Sequence, residues 1–195
     1  NQVLSHRGSD EGIDLLIRAF CQPQQEGILI CSPTYGMYAI SAQLNNSPVV
    51  DVPLQKNDNG FQLNLAGIEQ ALSAQPPAKP RVKVLFLCNP SNPLGNLLQA
   101  DDIERVLELA ARKAIVVLDE AYIEYAETTP GQSTTQLSWA AHIKRYPHLV
   151  VLRTLSKAFG LAGARVGFTL AQPALIQALE PVLAPYPLPK ASIAI

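Results

Sequence analysis

Charge of one sign is what this sequence has least of: 15 Lys and Arg stand against 16 Asp and Glu, a formal net charge of −1. Without a basic excess there is no electrostatic footprint for a polyanion, so nucleic acid is not an expected partner. No apolar run approaches the roughly 18 residues of a membrane span, and the first residues are polar where a secretion signal is apolar. Cysteine is scarce too. Cys21, Cys31 and Cys88 show no paired metal-ligand spacing, and two of them stand inside apolar runs that suit a small buried hydrophobe. His6, His142 and His148 offer no metal-ligand spacing either, so no metal is expected. Neither a G-x-S-x-G turn nor a Walker-type phosphate loop is present. The remaining expectation is a soluble protein of a reducing compartment, the cytoplasm.

What is present fits a packed core. The chain has 195 residues, of which 48% are hydrophobic and 16% charged, enough for one domain with a sizeable interior. Its 16 prolines exceed the usual share of about 5% and fall mostly between periodic segments. Pro76, Pro77 and Pro80 predict a stiff loop, and Ala126 to Thr135 a polar turn segment. The sequence opens on NQVLSHRG without a methionine and stops within an apolar segment, YPLPKASIAI. Residues 1–195 are therefore read as one domain, truncated at both ends.

Short β-branched runs alternate with helical periodicity. Strands are predicted over Val3 to Ser5, Ile28 to Cys31, Val49 to Pro53, Val82 to Cys88, Ala114 to Leu118, Leu149 to Arg153 and Arg165 to Leu170. Several are continuously apolar, as in sheets covered on both faces. Helices are predicted over Glu11 to Cys21, with Ser9 or Asp10 as N-cap, and over Asp101 to Arg112. Leu65 to Leu72, Leu137 to Lys144 and Pro173 to Leu183 give weaker helical patterns. The alternation predicts an α/β protein, a three-layer sandwich with a mostly parallel central sheet.

Ligands of such sheets collect at the carboxyl ends of the strands, and polar clusters stand after four of them: RGSDEG, NPSNPLG, DEAY and TLSK. Gly8, Ser9 and Asp10 at a helix N-terminus, the hydroxyls of Thr154 and Ser156 and the fork of Arg165 can together cup a phosphate. Lys157 stands in a small or apolar run, where a buried lysine must be neutralised, paired or covalently used. The set suits a phosphorylated aromatic cofactor, with Lys157 close enough to bond to it. Simpler readings coexist. Asp119 and Tyr122 can end a strand and pack; Asn92 is a natural turn residue; Tyr35, at an amphipathic helix start, can be core; Ser9 and Asp10 can be plain caps; Arg165 can be a surface strand residue.

RGSDEGIDLLIRAFC, SPTYGMY, NPSNPLG, VVLDEAYIEY, RTLSKAFGLAGARVGF and APYPL, in this order across essentially the whole chain, resemble the histidinol-phosphate aminotransferase family of fold type I pyridoxal-phosphate enzymes. The resemblance implies the large, cofactor-binding domain of that fold, with pyridoxal 5'-phosphate as cofactor. It implies Lys157 as the Schiff-base lysine and proton carrier, and Asp119 as partner of the pyridine nitrogen. Tyr122 and Asn92 would meet the ring hydroxyl, Tyr35 would stack on the ring, and Ser9, Asp10, Thr154, Ser156 and Arg165 would surround the phosphate. The reaction implied exchanges an amino group between histidinol phosphate and 2-oxoglutarate, yielding glutamate, in a homodimer, as a step of histidine biosynthesis.

Two positions depart from the family pattern, Leu94 in place of a small hydroxylated residue and Pro189 where serine is common; Leu94 could reshape the turn that holds Asn92. The family's N-terminal arm, its cross-dimer tyrosine and its C-terminal small domain with the carboxylate-binding arginine have no counterpart in these residues. Two alternatives stay open: a sibling with the same cofactor apparatus, such as an aromatic aminotransferase or threonine-phosphate decarboxylase, and a cofactor-binding fragment without turnover.

Overall fold

The computed structural model describes residues 1–58, 60–74, 80–126, 128 and 133–194. Residues 76 and 77 of the predicted proline loop lie outside them, as do residues 127 and 129–132 of the predicted polar segment. In chain order the strands are β1 (Val3–His6), β2 (Glu26–Ile30), β3 (Val49–Asp51), β4 (Gln55–Asn57), β5 (Gly60–Gln62), β6 (Arg81–Cys88), β7 (Ile115–Asp119), β8 (Leu149–Thr154) and β9 (Gly167–Ala171). The helices are α1 (Ser9–Phe20), α2 (Met37–Leu44), α3 (Leu65–Ser73), α4 (Ala100–Ala110), α5 (Thr134–Leu137), α6 (Pro173–Leu179) and α7 (Lys190–Ile193).

Seven strands form one sheet in the order β1-β9-β8-β7-β6-β2-β3. The contacts β2–β3, β2–β6, β6–β7 and β7–β8 are parallel. β9 runs antiparallel to both β8 and β1, so it alone is reversed and the sheet is mostly parallel, as predicted. The period-2 alternation of the central strands sends side chains to two cores. Val84, Phe86, Val117, Val150 and Leu152 pack with residues of α1, α2 and α6 on one face. Leu85, Leu87, Val116, Leu118 and Val151 pack with residues of α3 and α4 on the other. Strands covered on both faces have no solvent side, hence their continuous apolar runs.

Helix α1 shows how the layers are set. Ile13, Leu16 and Ile17 recur on its inner face and are fully buried. Gly12 lets the helix lie on the sheet, because a Cβ there would fall 2.9 Å from both the His6 ring and Leu152. The N-cap is Gly8, with φ 80° and no side-chain cap, and not Ser9 or Asp10. Both of those lie inside the first turn, and the Asp10 carboxylate is engaged elsewhere.

Other differences have local causes. The strand expected from Arg165 begins only at Gly167, because Arg165 adopts left-handed backbone (φ 51°) at the end of a 3-10 turn over Ala162–Ala164. The helix expected over Leu137 to Lys144 is broken: Ser138 is extended and caps a 3-10 turn, Trp139–His142. The last predicted helix tightens into a 3-10 turn at Glu180–Val182, where Pro181 has no N–H to donate. The helix start expected at Tyr35 falls at Met37, with Gly36 as N-cap, and the β4–β5 hairpin has no counterpart among the predicted elements. α2 buries only Tyr38, Ser41 and Ala42, and β4 is exposed throughout, so neither carries a strong apolar period. Among the described residues no helix is long and apolar enough to cross a membrane.

Candidate functional site

Parallel strands bring their carboxyl ends to one edge, so the segments leaving β1, β6, β7 and β8 converge there. At the β1 side, Gly167 pairs with His6 across one ladder and with Thr154 across the other. A Cβ on Gly167 would lie 2.7 Å from the Ser9 amide nitrogen, so the start of α1 rests directly on β9 and beside the turn after β8. His6 is wholly buried and stitches this corner: Nδ1 is 2.8 Å from the Gly8 carbonyl oxygen and Nε2 is 2.8 Å from Thr169 Oγ1. A carbonyl only accepts, so Nδ1 carries the proton and Nε2 accepts from the threonine hydroxyl. Burial pushes the His6 pKa down, which favours this neutral form.

The corner is a cup of donors. The first N–H groups of α1 have no intrahelical acceptor. Thr154 Oγ1 accepts from the Ser156 amide at 3.1 Å and sits 3.0 Å from Ser156 Oγ. Arg165 spans the gap, donating from Nη1 to Ser156 Oγ at 3.4 Å and to the Ala162 carbonyl at 3.1 Å, and from Nη2 to the Arg7 carbonyl at 3.4 Å. Its nearest carboxylate, Asp10, lies 4.0 Å away. Gly8 leaves the room: at φ +80° a side chain would be strained, and a Cβ would fall 2.7 Å from Arg165 Nη2. Amides, hydroxyls and a half-exposed guanidinium around a gap a methyl group would fill match a tetrahedral oxyanion such as phosphate.

Asp119 ends β7 and is 2% exposed. Its Oδ2 accepts from the Tyr38 hydroxyl at 2.8 Å and its Oδ1 from the Ala121 amide at 3.1 Å. Burial raises its pKa to about 6, opposed by those two bonds and by Lys157. Tyr35 stands at the cleft wall, donating to Asp10 Oδ1 at 3.0 Å. Burial and Asp10 together push its phenol above the ordinary range. Lys157, on the turn after β8, has its Nζ 5.2 Å from the centroid of the Tyr122 ring. It is exposed, so the expectation of a lysine buried in an apolar run is corrected: leaving the strand as a turn returns it to solvent.

All of the residues singled out in the sequence, Ser9, Asp10, Tyr35, Asn92, Asp119, Tyr122, Thr154, Ser156, Lys157 and Arg165, line a single cleft, with Cys88 and Ala121 between them. Its enclosed part, about 60 Å³, adjoins a depression of about 460 Å³ that shares Asn92, Tyr122 and Lys157. The departure at Leu94 leaves Asn92 on the cleft; the turn is closed by the Gly95 amide on the Ser91 carbonyl at 2.8 Å. Two residues before Tyr122, buried Glu120 accepts from Ser138 Oγ and the Trp139 amide, both at 2.6 Å, with Arg153 Nη1 at 3.5 Å. Burial lifts its pKa to about 7.

Sequence reasoning missed His6 and Tyr38. Both are wholly buried and reach their partners across long stretches of chain. For Tyr38 the available signal was a polar atom in an otherwise mostly apolar segment, which needs a partner once buried; His6 stands among polar residues and gave none.

Residues 1–195 match the family model described as aminotransferase class I and II. The chain is 54% identical over 197 residues to histidinol-phosphate aminotransferase 2 of Idiomarina loihiensis, covering 100% of this chain and 51% of that protein. It is 50% identical over 196 residues to the histidinol-phosphate aminotransferase of Yersinia enterocolitica, covering 100% and 48%. Among solved structures, the histidinol-phosphate aminotransferase from Clostridium acetobutylicum shares the fold with a TM-score of 0.79 at 26% identity, over 96% of this chain and 50% of that one. The chain thus spans about half the length of the curated relatives it matches.

Proposed function

Because the chain belongs to the aminotransferase class I and II family, we propose that it is the cofactor-binding part of a pyridoxal-phosphate-dependent histidinol-phosphate aminotransferase. The observation that carries the reading is one cleft holding a phosphate-sized donor cup, a buried carboxylate and a primary amine. When bound, pyridoxal phosphate supplies an aldehyde that captures amines and a protonated ring that draws electrons from the substrate's alpha carbon. Everything else falls to the protein's own groups.

The first amides of α1, Ser156, Thr154 and Arg165 would hold the phosphate, and the Asp119 carboxylate would keep the ring nitrogen protonated. Tyr122 and Asn92 would orient the ring through its hydroxyl, and Tyr35 would cover a face. Lys157 would hold the cofactor through its aldehyde, with loss of water, and its amine would be the group placed to move a proton at the substrate's alpha carbon. Domain residues 1–195, the substrates histidinol phosphate and 2-oxoglutarate, a homodimeric assembly, a place in histidine biosynthesis and a cytoplasmic location complete the proposal. About 50% identity to proteins of that name supports the substrate assignment.

Incubation with pyridoxal phosphate, borohydride reduction and peptide mapping test the cofactor reading. Label on Lys157, absent in Lys157→Ala, is the expected result; label scattered over surface lysines overturns it. A panel of histidinol phosphate, aromatic amino acids and phosphothreonine tests the substrate, and preference for either of the latter classes overturns that assignment.

A further inference from the structure

Asp119 has a partner that does not line the cleft. Tyr38 projects from α2, is 0% exposed, and stacks on Phe86 with ring centroids 4.7 Å apart at 10°. Tyr35 meets it edge-on at 5.7 Å and 85°. A phenol held on two sides by rings has little freedom, and its hydroxyl in a dry interior must find an acceptor. That acceptor is Asp119 Oδ2. The Ala121 amide fixes the other oxygen, so the two donors together define the carboxylate's plane.

We propose that Tyr38 is a positioning residue of this site: its hydroxyl, donated to Asp119 Oδ2 at 2.8 Å, holds Asp119 as the carboxylate and fixes the plane in which it meets the nitrogen of a bound pyridine ring. The proposal rests on the reading that this cleft takes pyridoxal phosphate. The physical need is plain. Burial disfavours the charged carboxylate, and the hydrogen bond from Tyr38 leads the effects that oppose it. Asp10 on α1 acts against a second negative charge, whereas Lys157 acts for it from the cleft rim. Tyr35, and Cys88 at the end of β6, are neutral neighbours whose own protons are held tightly by burial, and the Cys88 thiol donates to the Pro90 carbonyl at 3.4 Å. The Ala121 amide is then the other hydrogen-bond donor on Asp119. A neutral Asp119 would present a proton, or an unaimed oxygen, to a ring nitrogen that must itself be protonated.

Tyr38→Phe keeps the ring stack and removes only the hydroxyl. In the cofactor-free full chain, ¹³C-aspartate NMR, with Asp119 assigned through Asp119→Asn, is expected to show Asp119 titrating about one pH unit or more higher in Tyr38→Phe than in wild type. In the cofactor-loaded protein, the pH at which the visible band changes should move as well, with cofactor affinity lowered about tenfold. If Tyr38→Phe does not fold, 3-fluorotyrosine at position 38, a near-isosteric and stronger donor, must shift the Asp119 titration downward. A wild-type protein that gives no lysine-linked band overturns the cofactor reading itself. A normal wild-type band with an Asp119 titration unmoved by either replacement overturns the role of Tyr38 alone.

Discussion

Gly8 and Gly167 touch backbone to backbone: a Cβ on Gly167 would lie 2.5 Å from the Gly8 carbonyl carbon. That contact seats the start of α1 against β9 and so brings its amides to Ser156 and Arg165. Gly167→Ala cannot be absorbed by a side-chain shift, since the obstruction is main chain. We expect a loss of about 2 kcal/mol or more in stability, and weaker phosphate binding. Thermal melts and inorganic phosphate titration measure both; an unchanged melting temperature would contradict the contact.

Arg165 occupies left-handed backbone and bridges Ser156 to the Arg7 carbonyl. Arg165→Lys keeps the charge and loses the fork that spans this distance. The expected outcome is a fall in pyridoxal phosphate affinity of about tenfold, larger in Arg165→Ala, with pyridoxal lacking phosphate unaffected. Equal losses for both ligands would remove Arg165 from the phosphate cup.

Asp119 shapes the pH dependence of the cofactor-free protein. Its folded pKa of about 6 lies above the unfolded value near 4. Between those values the folded state binds more protons, so stability increases as pH falls from about 6 to 4 and is lost as pH rises through that window. The contribution is on the order of 3 kcal/mol. Asp119→Asn should flatten this window in urea titrations; a slope equal to wild type would mean that another group sets it.

Glu120 ties the segment bearing Tyr122 to the Ser138 turn. Glu120→Ala strands the Ser138 and Trp139 donors and leaves Arg153 with Glu124 alone. A loss of about 3 kcal/mol is expected, read as a lower urea midpoint. Within the full-length protein, turnover at saturating substrate should fall less than in Lys157→Ala, where loss of the amine is expected to cost about 10⁴-fold or more.

Much of this protein can be read along the chain. The alternation of apolar runs and helical periods determined a covered, mostly parallel sheet, because a strand with two buried faces needs continuous hydrophobes and a helix with one needs a stripe. The clusters after β1, β6, β7 and β8 marked one edge, since parallel strands must end together. Tertiary structure decided what those rules leave free. The Tyr38–Asp119 bond joins residues 81 apart, and the His6–Thr169 bond residues 163 apart. Local period carries no information on such pairs, because they depend on which strands become neighbours and on the single reversal of β9. The left-handed turn at Arg165 and the solvent exposure of Lys157 belong to the path by which the chain leaves β8 and re-enters the sheet at Gly167, which local period does not specify.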